Sequence, residues 1–428
     1  MLFKNVLLLN ENFEIEPNRY IGVKDSRIMY VGSEMPQDDF GEIYDGSGKL
    51  LMPAFYNSHA HTPMTLMRGY GENMALQDWL NQKIFPFESH LTADSVYYGA
   101  LLGIAEMFRS GTVATTDMYM QAEALLKAFI ESGAKTNYST GTLCFDDRSF
   151  YELEDYPANE MLFSEYHMAE DGRIRIDMSL HAEYTSSPKV VTGVAEYAKT
   201  KNCRMHLHLS ETKAEHEASL ERHGKTPAAY FNELGIFDLP TTAAHCVWVD
   251  ENDMAIMAEK GVSVGHCPVS NLKLASGIAP VPKFFEKGIN VALGTDSVAS
   301  NNNLSMIQEM NVFALIHKGS SNDPTVITPA QTLAAATVNS AKAQGRDDCG
   351  VIKPGMRADL IVLDLKEPHW QPATHLVNHL VYAAEGSDVC LTMSDGRIVY
   401  RDGEFPTIDL EKVVYEVESH YKIIVEQL

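Results

Sequence analysis

The residues with the clearest chemical potential are two histidines, His59 and His61, in the segment NSHAHTPMTL. The run before them, LLMPAFY, is apolar and predicts a buried strand. Residues i and i+2 of a strand project to the same face, so both imidazoles are expected to point at one place. This spacing is typical of a pair of metal ligands, provided that other ligands come from elsewhere in the chain.

Residues of the same kind recur where other apolar segments end. A single histidine of this sort is explained equally well by packing or by surface exposure. The joint pattern is not, because burying imidazoles gains little hydrophobic free energy. Barrel enzymes carry their chemistry at the C-terminal ends of strands, which predicts one shared site. The set comprises His59, His61, His181, His206, His208, Glu211, His245, His266 and Asp296.

The middle of the chain, residues 51–345, alternates between strand-like and helix-like segments. Eight strand candidates separated by helices predict a (β/α)8 TIM barrel. The strand candidates are 50–61, 112–119, 134–144, 174–184, 203–211, 241–248, 262–270 and 289–297. The helical stretches include 92–110, 212–234, 251–260 and 304–318.

The two ends of the chain have a different texture, with short strands separated by Gly and Asp turns. Residues 1–50 and 346–406 are therefore expected to form one small β-sandwich domain together. The last segment, 407–428, predicts an amphipathic C-terminal helix.

Composition narrows the classes of function. The 428 residues carry a net charge of −24, which argues against a nucleic-acid partner. Six scattered cysteines without a CxxC pair fit a reducing, cytoplasmic location. The N-terminal apolar run is too short for a signal peptide, and no segment predicts a membrane span. A small-molecule substrate is expected, and a homo-oligomer is left open.

Neutral imidazoles with one carboxylate suit Zn²⁺, and Fe²⁺, Co²⁺ or Mn²⁺ accept the same ligand types. A catalytic metal keeps one position for water and lowers the pKa of that water to roughly 7. Asp296 and His245 are candidates for orienting and deprotonating the water. Glu211, three residues after His208, is a candidate proton shuttle.

Four motifs, together with two C-terminal segments, resemble the amidohydrolase superfamily: HAH at 59–61, HLSE at 208–211, AHC at 244–246, LGTDS at 293–297, ATVNSAKAQG at 336–345 and VIKPGMRADLIVLD at 351–364. The resemblance implies one metal held by His59, His61, His208 and Asp296. It also implies that His245 forms a hydrogen bond with the metal-bound water and that Glu211 transfers protons. The fourth strand ends SLHAEY, without the lysine that bridges two metals in binuclear relatives. His206 would lie one layer deeper, and His266 is a possible structural partner of the site.

Within the superfamily, HTPMTLMRGYGENMALQDWL and PFESH resemble the branch of S-adenosylhomocysteine and methylthioadenosine deaminases and s-triazine chlorohydrolases. The resemblance implies that Glu88 binds ribose hydroxyls and that His181 reaches the ribose side. Arg148 is a candidate for holding an amino-acid carboxylate, and a second such position is occupied by Lys135. The remaining substrate candidates are Ser300 and Trp79, and Glu183 could read an amino or ring N–H group.

The sequence therefore predicts a metal-dependent hydrolytic deaminase. Metal-bound hydroxide would attack the amino-bearing ring carbon of a 5′-modified adenosine such as methylthioadenosine, 5′-deoxyadenosine or S-adenosylhomocysteine, and ammonia would leave. The nearest alternative is the same machinery acting on guanine, a pterin or an s-triazine, by deamination or dechlorination. A non-catalytic barrel is a further alternative, but such proteins typically lose metal ligands, and here the set is present.

Overall fold

The computed structural model describes all 428 residues. Its strands are β1 (Leu2–Leu9), β2 (Ile15–Lys24), β3 (Arg27–Gly32), β4 (Ile43–Asp45), β5 (Lys49–Pro53), β6 (Phe55–Ala60), β7 (Thr112–Met118), β8 (Lys135–Ser139), β9 (Ile174–Ile176), β10 (Met178–Leu180), β11 (Met205–Leu209), β12 (Thr241–His245), β13 (Ser263–His266), β14 (Val291–Leu293), β15 (Leu360–Asp364), β16 (Val389–Ser394) and β17 (Arg397–Arg401).

The α-helices are α1 (Leu76–Trp79), α2 (Phe85–Glu88), α3 (Ala93–Arg109), α4 (Ala122–Ser132), α5 (Asp155–Glu165), α6 (Ala169–Gly172), α7 (Pro188–Lys201), α8 (Lys213–His223), α9 (Pro227–Glu233), α10 (Glu251–Lys260), α11 (Pro268–Lys273), α12 (Val281–Glu286), α13 (Val298–Asn301), α14 (Met306–Ser321), α15 (Pro329–Ala336), α16 (Val338–Ala343), α17 (Leu376–Tyr382) and α18 (Leu410–Val425). A π-helical segment, Leu80–Ile84, joins α1 to α2. No helix is both long and apolar enough to cross a membrane.

The central part of the chain is an α/β structure with parallel strands. One parallel sheet has the order β6-β7-β8-β9 and the other β10-β11-β12-β13-β14. The strands read as continuous apolar runs because most of their residues are buried on both faces. All eight segments predicted as strands contain strands, and helices lie between most of them as predicted.

Backbone hydrogen bonds connect the two parallel sheets at both edges. The segment from β9 to β10 runs from one sheet to the other: the amide of Asp177 donates to Tyr138, and that of Met178 donates to Arg204. At the other edge, Ala60 and Asp296 form an isolated parallel bridge. The carboxyl ends of the strands therefore lie near one another.

Strands from both chain ends lie in one eight-stranded sheet, in agreement with the expectation that the two ends come together. Its order is β17-β16-β15-β5-β1-β2-β3, with β4 paired to β1. The link between the ends is β5 with β15, whose residues pair in antiparallel register from Lys49–Asp364 to Pro53–Leu360. The terminal helix α18 packs on α3, and all six cysteines are free.

One predicted helix is wrong in extent. Residues 212–234 form two helices, α8 and α9, instead of one. Gly224 ends α8 with a φ of +65°, a conformation that glycine adopts without strain. The side chain of Thr226 then accepts a hydrogen bond from the amide of Ala229, and Pro227 occupies the first turn of α9.

Lys135 lies at the start of β8, at the opposite end from the carboxyl termini of the strands. Its side chain is 1% exposed, and its ammonium pairs with Asp359 and, at 2.8 Å, with Asp395. Tyr56 also donates to Asp359. The lysine therefore joins the parallel strands to the mixed sheet, and the hypothesis that it replaces a carboxylate-binding arginine is not supported.

Replacing Lys135 with methionine is expected to lower the free energy of unfolding by about 3 kcal/mol, because two buried carboxylates lose their counter-charge. Chemical denaturation measures the change. The matched control is Lys127→Met on α4, whose lysine is 61% exposed and lies 4.0 Å from Glu131 and 4.8 Å from the ring centroid of Tyr97. Equal stability of the two variants would contradict the expectation.

Candidate active site

The four residues predicted as metal ligands converge at the carboxyl ends of three strands. His59 lies in β6 with His61 just after it, His208 lies in β11, and Asp296 follows β14. The amide of Asp296 donates to the carbonyl of His59 at 2.9 Å, which fixes the two strand ends against each other. The chain thus brings together residues that are far apart in sequence.

The side chains of these residues surround one point. Asp296 Oδ1 lies 3.3 Å from His59 Nε2 and 3.4 Å from His61 Nε2. The ring centroid of His208 is 4.8 Å from that of His59 and 5.5 Å from that of His61. His245 completes the cluster. Each of His59, His208 and His245 has one ring nitrogen within 4.8 Å of a ring nitrogen of the other two.

The outer nitrogen of each imidazole in the cluster is held by a partner away from this point. Nδ1 of His61 contacts the carbonyl of Met118 at 2.6 Å, and Nδ1 of His208 contacts that of His181 at 2.7 Å. These bonds require Nδ1 to carry the proton, which leaves Nε2 as a free acceptor. Nδ1 of His59 lies 2.9 Å from Nε2 of His206, so His206 occupies the deeper layer predicted for it.

The backbone at the site is unusual for residues with side chains. His245 has a φ of +69° and Asp296 a φ of +59°. Left-handed backbone costs non-glycine residues roughly 1–2 kcal/mol each. Gly294 approaches His59 so closely that an added Cβ would lie 2.8 Å from its backbone nitrogen. These features fix the direction of the ligands at some expense of stability.

The donor set fits a divalent cation. Nε2 of His59 is buried and has no hydrogen-bond partner. Burial lowers the pKa of His59 to about 3, so the imidazole is neutral, as metal binding requires. Burial also opposes protonation of His61, but the hydrogen bond to Asp296, the charge of Asp296 and the carbonyl of Met118 together outweigh burial and raise the pKa of His61 to about 9. A bound cation would displace that proton.

Glu211 is buried beside His245, with Oε2 of the glutamate 3.9 Å from Nε2 of the histidine. Ser276 donates to the other oxygen at 3.1 Å. Burial raises the pKa of Glu211 above its usual range, partly offset by His245. A buried carboxyl group with a raised pKa is suited to both accepting and releasing a proton.

The cluster opens into a cavity of about 320 Å³. Three of the predicted substrate residues, Glu88, Trp79 and His181, line it together with His61, His208, Glu211, His245 and Asp296. Glu88 ends helix α2, and burial raises its pKa. Trp79 and Ile84 come from α1 and the π-helical segment after it, a type of segment frequent at functional sites.

Two predicted substrate residues lie elsewhere. The hydroxyl of Ser300 donates to Asp296 Oδ2 at 2.8 Å, so it holds the carboxylate and does not line the cavity. Arg148 also does not line the cavity. Its side chain is 55% exposed and pairs with Asp146 at 2.9 Å, because the loop after β8 turns it towards solvent.

Glu183 and His266 are not part of the cavity wall. Glu183 is buried behind it, where Arg222 and His223 bind both of its oxygens, so it has none free to read a substrate amine. His266 contacts His317 at 3.2 Å, Nε2 to Nε2, which makes it a packing partner outside the cavity.

Sequence reasoning missed several residues around the site. Asn271 Oδ1 accepts from His245 Nδ1 at 2.8 Å, and Ser270 donates to Asp296 Oδ2 at 2.6 Å. Both belong to PVSNLK, the helix after β13, and the polar residues after that strand were the available signal. Tyr119 lines the cavity, and its buried hydroxyl faces the carboxyl group of Glu88, where it partly offsets the effect of burial on the pKa of Glu88. Nothing in the sequence distinguishes this tyrosine from the other eighteen.

An α/β fold with imidazoles and a carboxylate gathered at the ends of parallel strands defines a class of proteins: metal-dependent hydrolases. The amidohydrolase family matches residues 50–399. The chain belongs to this family.

Individual relatives are similar over most of the chain. A 5-methylthioadenosine/S-adenosylhomocysteine deaminase of Dictyoglomus thermophilum is 44% identical over 377 residues, covering 88% of each chain. A 5′-deoxyadenosine deaminase of Methanosarcina mazei is 40% identical, covering 93% of this chain and 91% of the relative. A crystal structure of an adenosine deaminase from Xanthomonas campestris with bound zinc superposes with a TM-score of 0.93 at 30% identity, covering 99% and 98%.

Proposed function

We propose that this protein is a metal-dependent hydrolytic deaminase of 5′-modified adenosines, including 5′-methylthioadenosine, 5′-deoxyadenosine and S-adenosylhomocysteine. The observation that carries the proposal is the cavity that joins the histidine–aspartate cluster and Glu211 to Glu88. The names of relatives at about 40% identity over most of the chain support the same substrate class.

His59, His61, His208 and Asp296 are proposed to hold one divalent cation, with Zn²⁺ preferred and Fe²⁺ as the alternative. When bound, the cation supplies Lewis-acid activation of water. The bound zinc of the structure from Xanthomonas campestris supports this preference.

The remaining residues direct water and protons. His245, with Nδ1 held by Asn271, presents Nε2 as the acceptor that orients water towards the amino-bearing carbon. Glu211 donates a proton to the ring nitrogen beside that carbon, and Asp296 accepts the proton that the water loses. Asp296 then gives this proton to the amino group as it leaves as ammonia, and Glu211 recovers its proton from the hydroxyl group that becomes the oxo group. Water and the aminated ring are thereby converted to ammonia and the oxo product.

The other wall of the cavity is proposed to bind the nucleoside. Glu88 accepts hydrogen bonds from the ribose hydroxyls, and the hydroxyl of Tyr119 beside it orients the carboxylate. Trp79 packs on the sugar and base, and His181, which directly follows β10, reaches the ribose. Ser300 is proposed to act on substrate only through Asp296.

The test is ammonia release by zinc-loaded protein from adenosine, 5′-deoxyadenosine, methylthioadenosine, S-adenosylhomocysteine, guanine, pterin and an s-triazine. Turnover led by the 5′-modified adenosines is the expected result. Reaction with a free base or a pterin alone would leave the metal chemistry in place and overturn the nucleoside assignment.

Replacing Glu88 with glutamine is expected to lower kcat/KM for methylthioadenosine about 100-fold, because the ribose hydroxyls lose a charged acceptor. Most of the loss should appear in KM, since Glu88 does not touch the reacting ring. Steady-state kinetics measure the change. Glu123→Gln on the exposed side of α4 is the control, and an equal effect in both variants would contradict the role of Glu88.

We also propose that the barrel is closed and that the chain has the following domains. The hydrogen bonds at both edges of the parallel sheets support one closed (β/α)8 barrel over residues 51–345. The apolar cluster around Phe3, Val6 and Ile21 supports a β-sandwich built from residues 1–50 and 346–406. Residues 407–428 add a helix, and the six free cysteines support a cytoplasmic location.

A further inference from the structure

The cavity has a part that neither the metal cluster nor the ribose-binding wall uses. The loop after β8 contributes Thr140, Gly141 and Leu143 to the lining, and Asp155 at the start of α5 lies with them. With the base at Glu211 and the ribose at Glu88, this part of the lining is available to the 5′ substituent. This assignment rests on the proposed function.

Apart from its histidines, the charged side chains of the cavity lining are all acidic. The cavity lining contains the carboxylates of Glu88, Asp155, Glu211 and Asp296 and includes no lysine or arginine. Among them, Asp155 has no cation close enough to pair with it. Burial raises the pKa of its carboxyl group.

Two basic residues near this loop, Arg148 and Lys189, are already paired with carboxylates outside the cavity. Arg148 is bound by Asp146 at 2.9 Å, and Lys189 is bound by Asp147 at 2.6 Å. Neither lines the cavity. A substrate carboxylate entering this region would therefore meet Asp155 without a counter-charge, and like charges in such proximity oppose binding.

Apolar side chains also line the cavity at its opening. Phe85, Met120 and Leu143 line it and are also 46%, 39% and 45% exposed, so they form an apolar rim at the mouth. An uncharged alkylthio group gains hydrophobic free energy on such a surface, whereas a carboxylate loses hydration there.

We propose that Asp155 is a specificity-determining residue that selects the charge of the 5′ substituent, favouring neutral and cationic groups over carboxylates. Methylthioadenosine and 5′-deoxyadenosine would then be better substrates than S-adenosylhomocysteine. The ammonium of an amino-acid substituent is attracted by Asp155, while its carboxylate is repelled.

Three matched probes separate these charges: adenosines with a 5′-propylthio, 5′-(3-aminopropyl)thio or 5′-(3-carboxypropyl)thio group. In the wild type, kcat/KM is expected to be at least about tenfold lower for the anionic probe than for the neutral one. Asp155→Asn should raise kcat/KM for the anionic probe about fivefold and lower it for the cationic probe about fivefold, since only the charge changes. The neutral probe should stay within about twofold.

Two further variants sharpen the test. Asp155→Lys should extend the gain for the anionic probe beyond that of Asp155→Asn. Glu154→Gln is the matched control, because Glu154 is the adjacent carboxylate, is exposed and lies outside the lining. Equal effects of Asp155→Asn on all three probes, or none, would overturn the proposal. So would a selective loss of the anionic probe in Arg148→Ala, which would show that this arginine holds a carboxylate.

The test distinguishes failure of this inference from failure of the proposed function. If the neutral probe is deaminated but charge has no effect, the function stands and the role of Asp155 fails. If no probe is deaminated, the function fails, and calorimetric binding of the same three probes to wild type and Asp155→Asn then decides the charge preference. Binding that follows the pattern above supports the inference, and binding independent of charge overturns it.

Discussion

Glu211→Gln is expected to lower kcat by about three orders of magnitude while the protein still binds one zinc ion, because general acid–base catalysis contributes at this scale. The glutamine keeps the shape of the side chain and can still accept the hydrogen bond from Ser276. It cannot transfer a proton to the ring nitrogen. Single-turnover ammonia release measures the loss, and metal analysis of the same sample measures the zinc.

The control for this variant is Glu217→Gln on the exposed surface of α8, where the glutamate contacts Lys213 at 3.3 Å. It should keep wild-type turnover. A Glu211→Gln variant that retained more than about a tenth of the wild-type kcat would exclude the glutamate as the proton shuttle. Loss of zinc along with activity would assign it to metal binding instead.

Asp296→Asn is expected to lower kcat/KM by about four orders of magnitude and to weaken zinc binding, because the site loses its carboxylate ligand and a proton acceptor together. The amide can still accept hydrogen bonds from Ser270 and Ser300, so the surrounding structure should persist. Zinc affinity measured by competition with a chromogenic chelator reports the metal directly. Turnover at saturating zinc reports what remains of the chemistry.

Asp238→Asn is the matched control, since that carboxylate lies on the surface between Lys199 and Lys260. Ser300→Ala is an intermediate case, expected to cost about tenfold because it removes one hydrogen bond to Asp296. Unchanged zinc affinity in Asp296→Asn would contradict its assignment as a ligand.

The strands and the metal cluster were predictable from sequence because local patterns determine them. His59, His61, His208, His245 and Asp296 each follow an apolar run, and strand alternation fixes which of them share a face. The structure gathers these residues around one point, as the sequence predicts. Their assignment as ligands and water-orienting residues stays a prediction until metal binding is measured.

The substrate residues were less predictable because loops and long-range partners place them. Arg148 had the right chemistry, but its loop pairs it with Asp146 outside the cavity. Glu183 looked available, but Arg222 and His223 come from another helix to bind it. Asp155 carries no motif, and only the approach of α5 to the loop after β8 brings it to the cavity.

The buried pairing of Lys135 has a consequence for biosynthesis. Its partners Asp359 and Asp395 lie 224 and 260 residues further along the chain. At typical translation rates, Lys135 therefore waits about 10–45 s for its first counter-charge. Until then, β8 cannot be buried without enclosing an unpaired ammonium, which is unfavourable. The emerging half-barrel must remain open on the ribosome, and we expect molecular chaperones to shield its strand edges until the end of the chain arrives.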